Sequence, residues 1–88
     1  MNEHKAKAVI ACKKVRSLMD KIIEMSENNV YCVDIMQQNL AAIGLLKSAH
    51  QSLLEGHLRS CFIDAMSSAN TKRKKDMIEE ILKVSKLR

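Results

Sequence analysis

Proline is absent from this chain of 88 residues, and glycine occurs only twice, as Gly44 and Gly56. Several short strands would need turn residues about every 8–12 positions, so a β-sandwich or β-barrel is excluded. Hydrophobic residues make up 47% of the chain but aromatic residues only 2%, which leaves aliphatic side chains and Met to build a core. This composition favours packed helices in a single domain over residues 1–88.

The first predicted helix is amphipathic, with an apolar pattern that begins at Cys12 and continues to about Glu24. Asn28 and Asn29 then predict a turn, because asparagine tolerates the left-handed backbone conformation. The residues before Cys12, which include His4, are expected to form a mobile N-terminus.

A long second helix is predicted from Tyr31 to about Met66, where apolar residues keep helical spacing throughout. Small polar residues at 67–71 interrupt the pattern. The basic run at 72–75 follows and leads into a short third helix that ends near Val84. We therefore expect an all-α protomer in which the first two helices form a long hairpin and the third is short.

The long hairpin shares too little core with the short third helix for a stable monomer. We expect a second copy to complete the core, giving an antiparallel four-helix-bundle homodimer or a dimer of such dimers. No apolar run approaches the ~18 residues of a membrane span, and no signal-peptide pattern is evident. A soluble cytoplasmic protein is expected.

The cysteine and histidine residues indicate what kind of chemistry the chain can support. Three Cys residues are an odd number, which without a signal peptide points to metal or redox chemistry rather than a disulfide framework. His57 and Cys61 are four residues apart, so on a helix they lie one turn apart on the same face and can bind one metal ion. An isolated pair of this kind is more often a packing feature.

Cys32 strengthens the metal interpretation. At ~100° per residue, Cys32, His57 and Cys61 fall on one stripe of the second helix. At ~1.5 Å per residue, however, Cys32 is about 43 Å from Cys61, so one continuous helix cannot complete the site. Two antiparallel copies of the helix would bring Cys32 of one chain to His57 and Cys61 of the other. The twofold axis would then cross near residues 44–46, where Gly44 permits close approach.

Two thiolates and one imidazole suit a soft ion of low coordination number, so Cu(I) in trigonal geometry ranks first. Zn(II) or Ni(II) would need a fourth ligand, which His4 could supply, and Co(II) is a further alternative. His50 and Cys12 are interpreted as packing residues. The chain shows no paired general base, oxyanion donors or phosphate-binding glycine loop, so an enzyme is not expected.

Four segments of the second helix form a recognisable pattern: YCVD at 31–34, QQ at 37–38, AAI at 41–43 and LLEGHLRSC at 53–61. Together with the spacing of the two Cys and the His, they resemble the CsoR/RcnR family of metal-sensing transcriptional repressors, and its copper-sensing branch in particular. The resemblance implies an all-helical homodimer, often a dimer of dimers. Such a protein binds operator DNA without metal and releases it with metal, which derepresses efflux or metal-handling genes.

Residue by residue, the resemblance implies that Cys32 is a ligand from one protomer and that His57 and Cys61 are ligands from the other. Tyr31 matches a tyrosine that lies behind the ligands. Related members with a further N-terminal histidine sense nickel.

The family also places a glutamate of the last helix beside the ligand histidine, where it can fix the imidazole tautomer. When the position of this glutamate is counted directly from Cys61, it falls near Met77. Allowing for a longer break in this chain brings Glu80 into register, with Glu79 as its competitor.

The first helix departs from the family pattern. The family commonly has a stretch of the type RIxGQVRGI that is used on DNA, whereas residues 14–22 here read KVRSLMDKI and place Asp20 at the second arginine. Basic charge remains on this helix, and the net charge is +5, so phosphate contacts are still expected. The expected DNA-binding residues are Lys13, Lys14, Arg16 and Lys21.

Other functions stay open beside a Cu(I)-responsive repressor. One is a nickel- or cobalt-responsive member of the same family. Another is a metal-binding or chaperone-like helical protein that has lost operator recognition, as the acidic Asp20 suggests. A third is a thiol sensor in which Cys32 and Cys61 of opposite chains are oxidised, although the presence of His57 argues against it.

Overall fold

The computed structural model describes residues 2–86, and over that range the regular structure is entirely helical. A π-helical segment joins the second and third α-helices without a break, so the helices form three rods, as predicted. The elements are α1 (Glu3–Glu27), α2 (Cys32–His57), the π segment (Leu58–Phe62), α3 (Ile63–Ser67) and α4 (Thr71–Val84). None of the helices in the described range is long and apolar enough to cross a membrane.

Helix α1 begins well before the apolar pattern from which it was predicted. Asn2 caps it, because its side-chain oxygen accepts a hydrogen bond from the Lys5 amide at 2.8 Å. Ala8 and Ala11 are buried, so the early turns of the helix already pack against the rest of the chain. The expectation of a mobile N-terminus was wrong for His4, which lies in the first turn of α1.

The turn between α1 and α2 falls at the predicted asparagines. The Asn28 amide donates to the carbonyl of Glu24 at 3.1 Å and closes the last turn of α1. Asn29 has a φ of 55°, a left-handed conformation that asparagine adopts more readily than most residues. Helix α2 then packs along α1, which gives the predicted hairpin.

The second rod is continuous from residue 32 to residue 67, close to the predicted limits, but it is not a regular α-helix throughout. In the π segment the hydrogen bonds run from i to i+5, so each turn holds more residues than an α turn. Cys61 lies in this segment. Its rotation relative to Cys32 therefore differs from the value that 100° per residue gives.

Alanine makes up the buried core of the single chain. Small side chains let helices approach closely, but they remove little apolar area from water. The larger aliphatic residues are half-buried or exposed, with Leu40 at 66% and Met36 at 61% exposure. The buried hydrophobic residues are Ala8, Ala11, Ala42, Ala49 and Ala65.

The predicted polar break separates α3 from α4. Asn70 caps α4 by accepting a hydrogen bond from the Arg73 amide at 3.1 Å. The basic run at 72–75 belongs to the first turns of α4 rather than preceding the helix. The sequence therefore predicted where the third rod lies but placed its start slightly too late.

Candidate metal centre

A cleft of about 590 Å³ lies where the start of α1, the end of the second rod and α4 meet. His57 and Cys61, the two ligands expected from a single chain, both line it. His4, His50 and Glu80 line the same cleft. The fold thus gathers histidine, cysteine and carboxylate side chains from three rods at one end of the molecule.

His57 is the last residue of α2 and is half-buried. Its Nε2 atom lies 3.2 Å from the Sδ atom of Met77 in α4. In the tautomer that carries its proton on Nε2, the ring donates this proton to the thioether. Met77 is therefore the residue of α4 that meets the predicted ligand histidine, while Glu80 lines the cleft and is exposed.

Cys61 is exposed within the π segment, so its thiol is accessible to an incoming ion. The neighbouring Ser60 hydroxyl lies 3.7 Å from the Cys61 sulfur and 2.8 Å from the carbonyl oxygen of Gly56. A hydroxyl has a single proton, and the much shorter contact is with the Gly56 carbonyl. The sulfur of Cys61 is thus left available as a ligand.

Cys32 is the first residue of α2, at the opposite end of the rod from Cys61. Within residues 2–86, no group of three or more His, Cys, Asp or Glu residues lies close enough to hold a metal ion. Cys32 is exposed, and the preceding Tyr31 is 71% exposed. This end of α2 therefore presents both side chains at the surface of the single chain.

Gly56 and His4 make a close approach that the sequence did not indicate. A Cβ built on Gly56 would lie 2.8 Å from the Cβ of His4. The missing side chain lets the first turn of α1 sit against the residue that precedes His57. Only the pairing of α1 with α2 shows this requirement, because the two residues are 52 positions apart in the chain.

His50 and Cys12 were both interpreted from the sequence as packing residues. His50 is half-buried, and its Nε2 atom contacts the carbonyl oxygen of Val84 at the end of α4, in agreement with a packing role. Cys12 was expected to pack but is exposed. It follows the buried Ala11 and is rotated about 100° from it, which turns its side chain away from α2.

The basic residues of α1 lie outside the cleft. Lys13, Lys14 and Lys21 line an open groove on α1 together with the apolar residues Ile10 and Leu18. Arg16 is exposed on the same helix. The structure thus groups three of the four expected DNA-binding residues on one face and leaves all four accessible.

The donor set of the cleft fits a soft metal ion. An accessible thiol and an imidazole lie at one end of the rod, and a second accessible thiol lies at the other. Thiolates and imidazole are the ligands that Cu(I) and Zn(II) prefer. His57 and Cys61 line the cleft, whereas Cys32 lies at the opposite end of the rod, so a single chain does not bring the three predicted ligands together.

A protein-family model described as a metal-sensitive transcriptional repressor matches residues 4–86 of the chain. The match covers every helix described above except the first residue of α1.

Curated relatives carry the name copper-sensing transcriptional repressor CsoR. That of Mycobacterium tuberculosis (strain ATCC 25618 / H37Rv) is 39% identical over 62 residues, which is 70% of this chain and 52% of the relative. That of Mycobacterium ulcerans (strain Agy99) is 36% identical over 66 residues, 75% of this chain and 56% of the relative. That of Bacillus subtilis (strain 168) is 35% identical over 74 residues, 84% of this chain and 70% of the relative. The match thus spans about half the length of the mycobacterial relatives.

Proposed function

The chain belongs to the family of metal-sensitive transcriptional repressors, and on that premise we propose that it is a Cu(I)-responsive repressor. It binds operator DNA without metal and releases the DNA when Cu(I) occupies an intersubunit Cys-His-Cys site. One observation carries the proposal: His57 and Cys61 line one cleft, while the exposed Cys32 lies at the far end of the same rod. An antiparallel partner would bring its Cys32 to that cleft.

A partner is also supported by the apolar surface of α2. Met36, Leu40 and Ile43 are exposed by 61%, 66% and 41%, and they lie close to the stripe that contains Cys32 and His57. A Cβ at Gly44, near the middle of α2, would meet nothing within 4 Å in the single chain, so this part of the helix is uncovered in the protomer. Large exposed apolar patches mark interaction surfaces, and we propose that a second copy covers this one.

Copper is favoured by the chemistry of the donors and by the relatives, which are named as copper-sensing. The position of His4 supports a second candidate, a nickel- or cobalt-responsive repressor. His4 lines the cleft beside His57 and Cys61, where it could serve as the additional nitrogen ligand that Ni(II) or Co(II) would use.

The coupling between metal and DNA follows from where the residues lie. When Cys32 of the partner subunit joins His57 and Cys61, the two antiparallel rods become fixed relative to each other at both ends. Helix α1 packs along the same rod and carries Lys13, Lys14 and Lys21. A change in the alignment of the rods therefore changes the distance between the basic grooves of the two protomers. This distance determines how well the two grooves fit the operator phosphates.

The metal site is tested by an anaerobic titration of the reduced protein with Cu(I) against a competing chelator, with Ni(II) and Zn(II) in parallel. We expect one tight Cu(I) per protomer in the wild type and in Cys12→Ala, whose exposed thiol lies outside the cleft. Cys32→Ala should lose tight binding. Tight Ni(II) with weak Cu(I) would support the nickel candidate, and no tight metal would contradict a metal sensor and favour the thiol sensor.

Whether the site is shared between chains is tested by mixing two inactive variants, Cys32→Ala and the double variant His57→Ala/Cys61→Ala. Each variant alone has no complete site. Mixed dimers contain one complete site, so random exchange of an equal mixture should restore about one quarter of the wild-type Cu(I) stoichiometry. No restoration after verified subunit exchange would contradict an intersubunit site.

The DNA function is tested by the anisotropy of labelled DNA from upstream of the protein's own gene. The apo protein should bind, and Cu(I) should weaken binding by the same factor by which the DNA weakens Cu(I) affinity. Lys13→Ala/Lys14→Ala should lower DNA affinity more than Lys72→Ala/Lys75→Ala, which removes equal charge from α4. Equal effects would contradict the α1 assignment, and no specific binding would favour a metal-binding protein without operator recognition.

A further inference from the structure

We propose that Met77 is a ligand of the same metal centre, so that its thioether joins His57, Cys61 and Cys32 of the partner subunit around one Cu(I). This inference rests on the proposed function. It assigns a fourth donor, from α4, to a site whose other donors all lie on the second rod.

The distance between the two side chains carries the inference. The Nε2 atom of His57 and the Sδ atom of Met77 are 3.2 Å apart. Nitrogen and sulfur ligands of one tetrahedral ion, at about 2.0 and 2.3 Å from the metal, are about 3.5 Å from each other. The pair thus needs a shift of only a few tenths of an ångström to bind one ion, with the imidazole proton moved to Nδ1.

The contact involves a ring nitrogen rather than the face of the ring. The sulfur of Met77 meets Nε2 of His57, one of the two atoms through which a histidine binds a metal. In the single chain the two atoms share the hydrogen bond described above, and with an ion present the same two atoms would both be donors to it. Met77 is also half-buried, so its side chain is held against His57 rather than free in solvent.

A thioether at this position has two consequences. It is a soft, uncharged donor, so it raises the affinity for Cu(I) more than the affinity for Ni(II). It also connects α4 to the site, so that metal binding holds the end of the second rod, the partner's Cys32 and α4 together.

The first test compares Met77→Leu with wild type in the Cu(I) competition titration. Leucine conserves most of the volume, so the fold should be retained. We expect the Kd for Cu(I) to rise about 10–100-fold, as when a metal site loses a supporting group, and the preference for Cu(I) over Ni(II) to fall. Met19→Leu, the same substitution in α1, is the control and should leave the Kd unchanged. Equal Kd values for Met77→Leu and wild type would overturn the inference.

The second test detects the bond directly. Protein prepared with selenomethionine and loaded with Cu(I) is measured at the copper absorption edge, where only selenium bound to copper gives a Cu–Se scattering shell. We expect this shell in the otherwise wild-type protein and in Met19→Leu, and its loss in Met77→Leu. Tight copper without a Cu–Se shell would overturn the role of Met77 but leave the repressor proposal standing. Absence of tight copper in the wild type would overturn both.

Discussion

Gly56 occupies a position where α1 and α2 are too close for a side chain. Its Cβ would lie 2.8 Å from the Cβ of His4, whereas a Cβ at Gly44 would meet nothing within 4 Å. The two glycines of the chain therefore have different roles. Gly56 is needed for the packing of α1 on α2, and Gly44 leaves its part of α2 uncovered.

We expect Gly56→Ala to destabilise the fold by about 1–3 kcal/mol, because α1 must move away from α2. Urea unfolding at fixed protein concentration measures this loss. His4→Gly removes the clashing Cβ and should recover part of the loss in a double-mutant cycle. Additive effects of the two substitutions would contradict the contact.

Gly44→Ala provides the matched control. Alanine should stabilise the helix itself by about 0.5–1 kcal/mol, since glycine is unfavourable inside a helix and no clash opposes the methyl group in one chain. If a second copy packs on this side of α2, the same methyl group should weaken the proposed dimer, and sedimentation at several concentrations would show this. A Gly44→Ala dimer as tight as wild type would show that the second copy does not pack against Gly44.

Helix α4 is held on the second rod by two histidines. His57 meets Met77 in the middle of α4, and His50 contacts the carbonyl oxygen of Val84 at its end. The apolar residues Ile78 and Leu82 of α4 are 48% and 58% exposed, so they contribute little burial within one chain. These two polar contacts therefore add to the attachment that the half-buried Met77 and Ile81 of α4 provide.

We expect His50→Ala to loosen the end of α4 while leaving the hairpin intact. Amide hydrogen exchange should become at least several-fold faster at residues 80–84 and stay unchanged in α1, because local openings reflect the loss of local contacts. Gln51→Ala, at an exposed position on the same helix, is the control. Equal exchange in the two variants would show that the contact with Val84 does not hold α4.

The π segment limits how far along the second rod helical spacing can predict which residues share a face. The spacing of His57 and Cys61 predicted that they lie one turn apart on the same face, and both line one cleft. The phase of Cys61 relative to Cys32 could not be predicted to the same accuracy. A single π turn changes the rotation of every later residue about the helix axis. Nothing in the composition of residues 58–62 predicts that they form a π turn.

The whole molecule is an elongated hairpin whose Cα atoms extend 59 × 25 × 14 Å, with a core of alanine and an exposed apolar stripe. We expect Ile43→Glu, at the centre of that stripe, to dissociate the proposed dimer, since two carboxylates would then face each other near the proposed axis. Light scattering after size-exclusion chromatography measures the mass. Ile23→Glu, at a 55% exposed position on α1, is the control and should remain dimeric. A dimeric Ile43→Glu would contradict an α2 interface.

The sequence by itself determined the all-α class, the approximate limits of the three rods and the turn at Asn29. These features depend on residue type and on short spacing, which act locally. Only the tertiary structure decided that Met77 meets His57, that His4 requires Gly56 and that Cys12 faces outward. Those contacts join residues far apart in the chain, so they depend on how the helices are aligned, and helical periodicity does not specify that alignment.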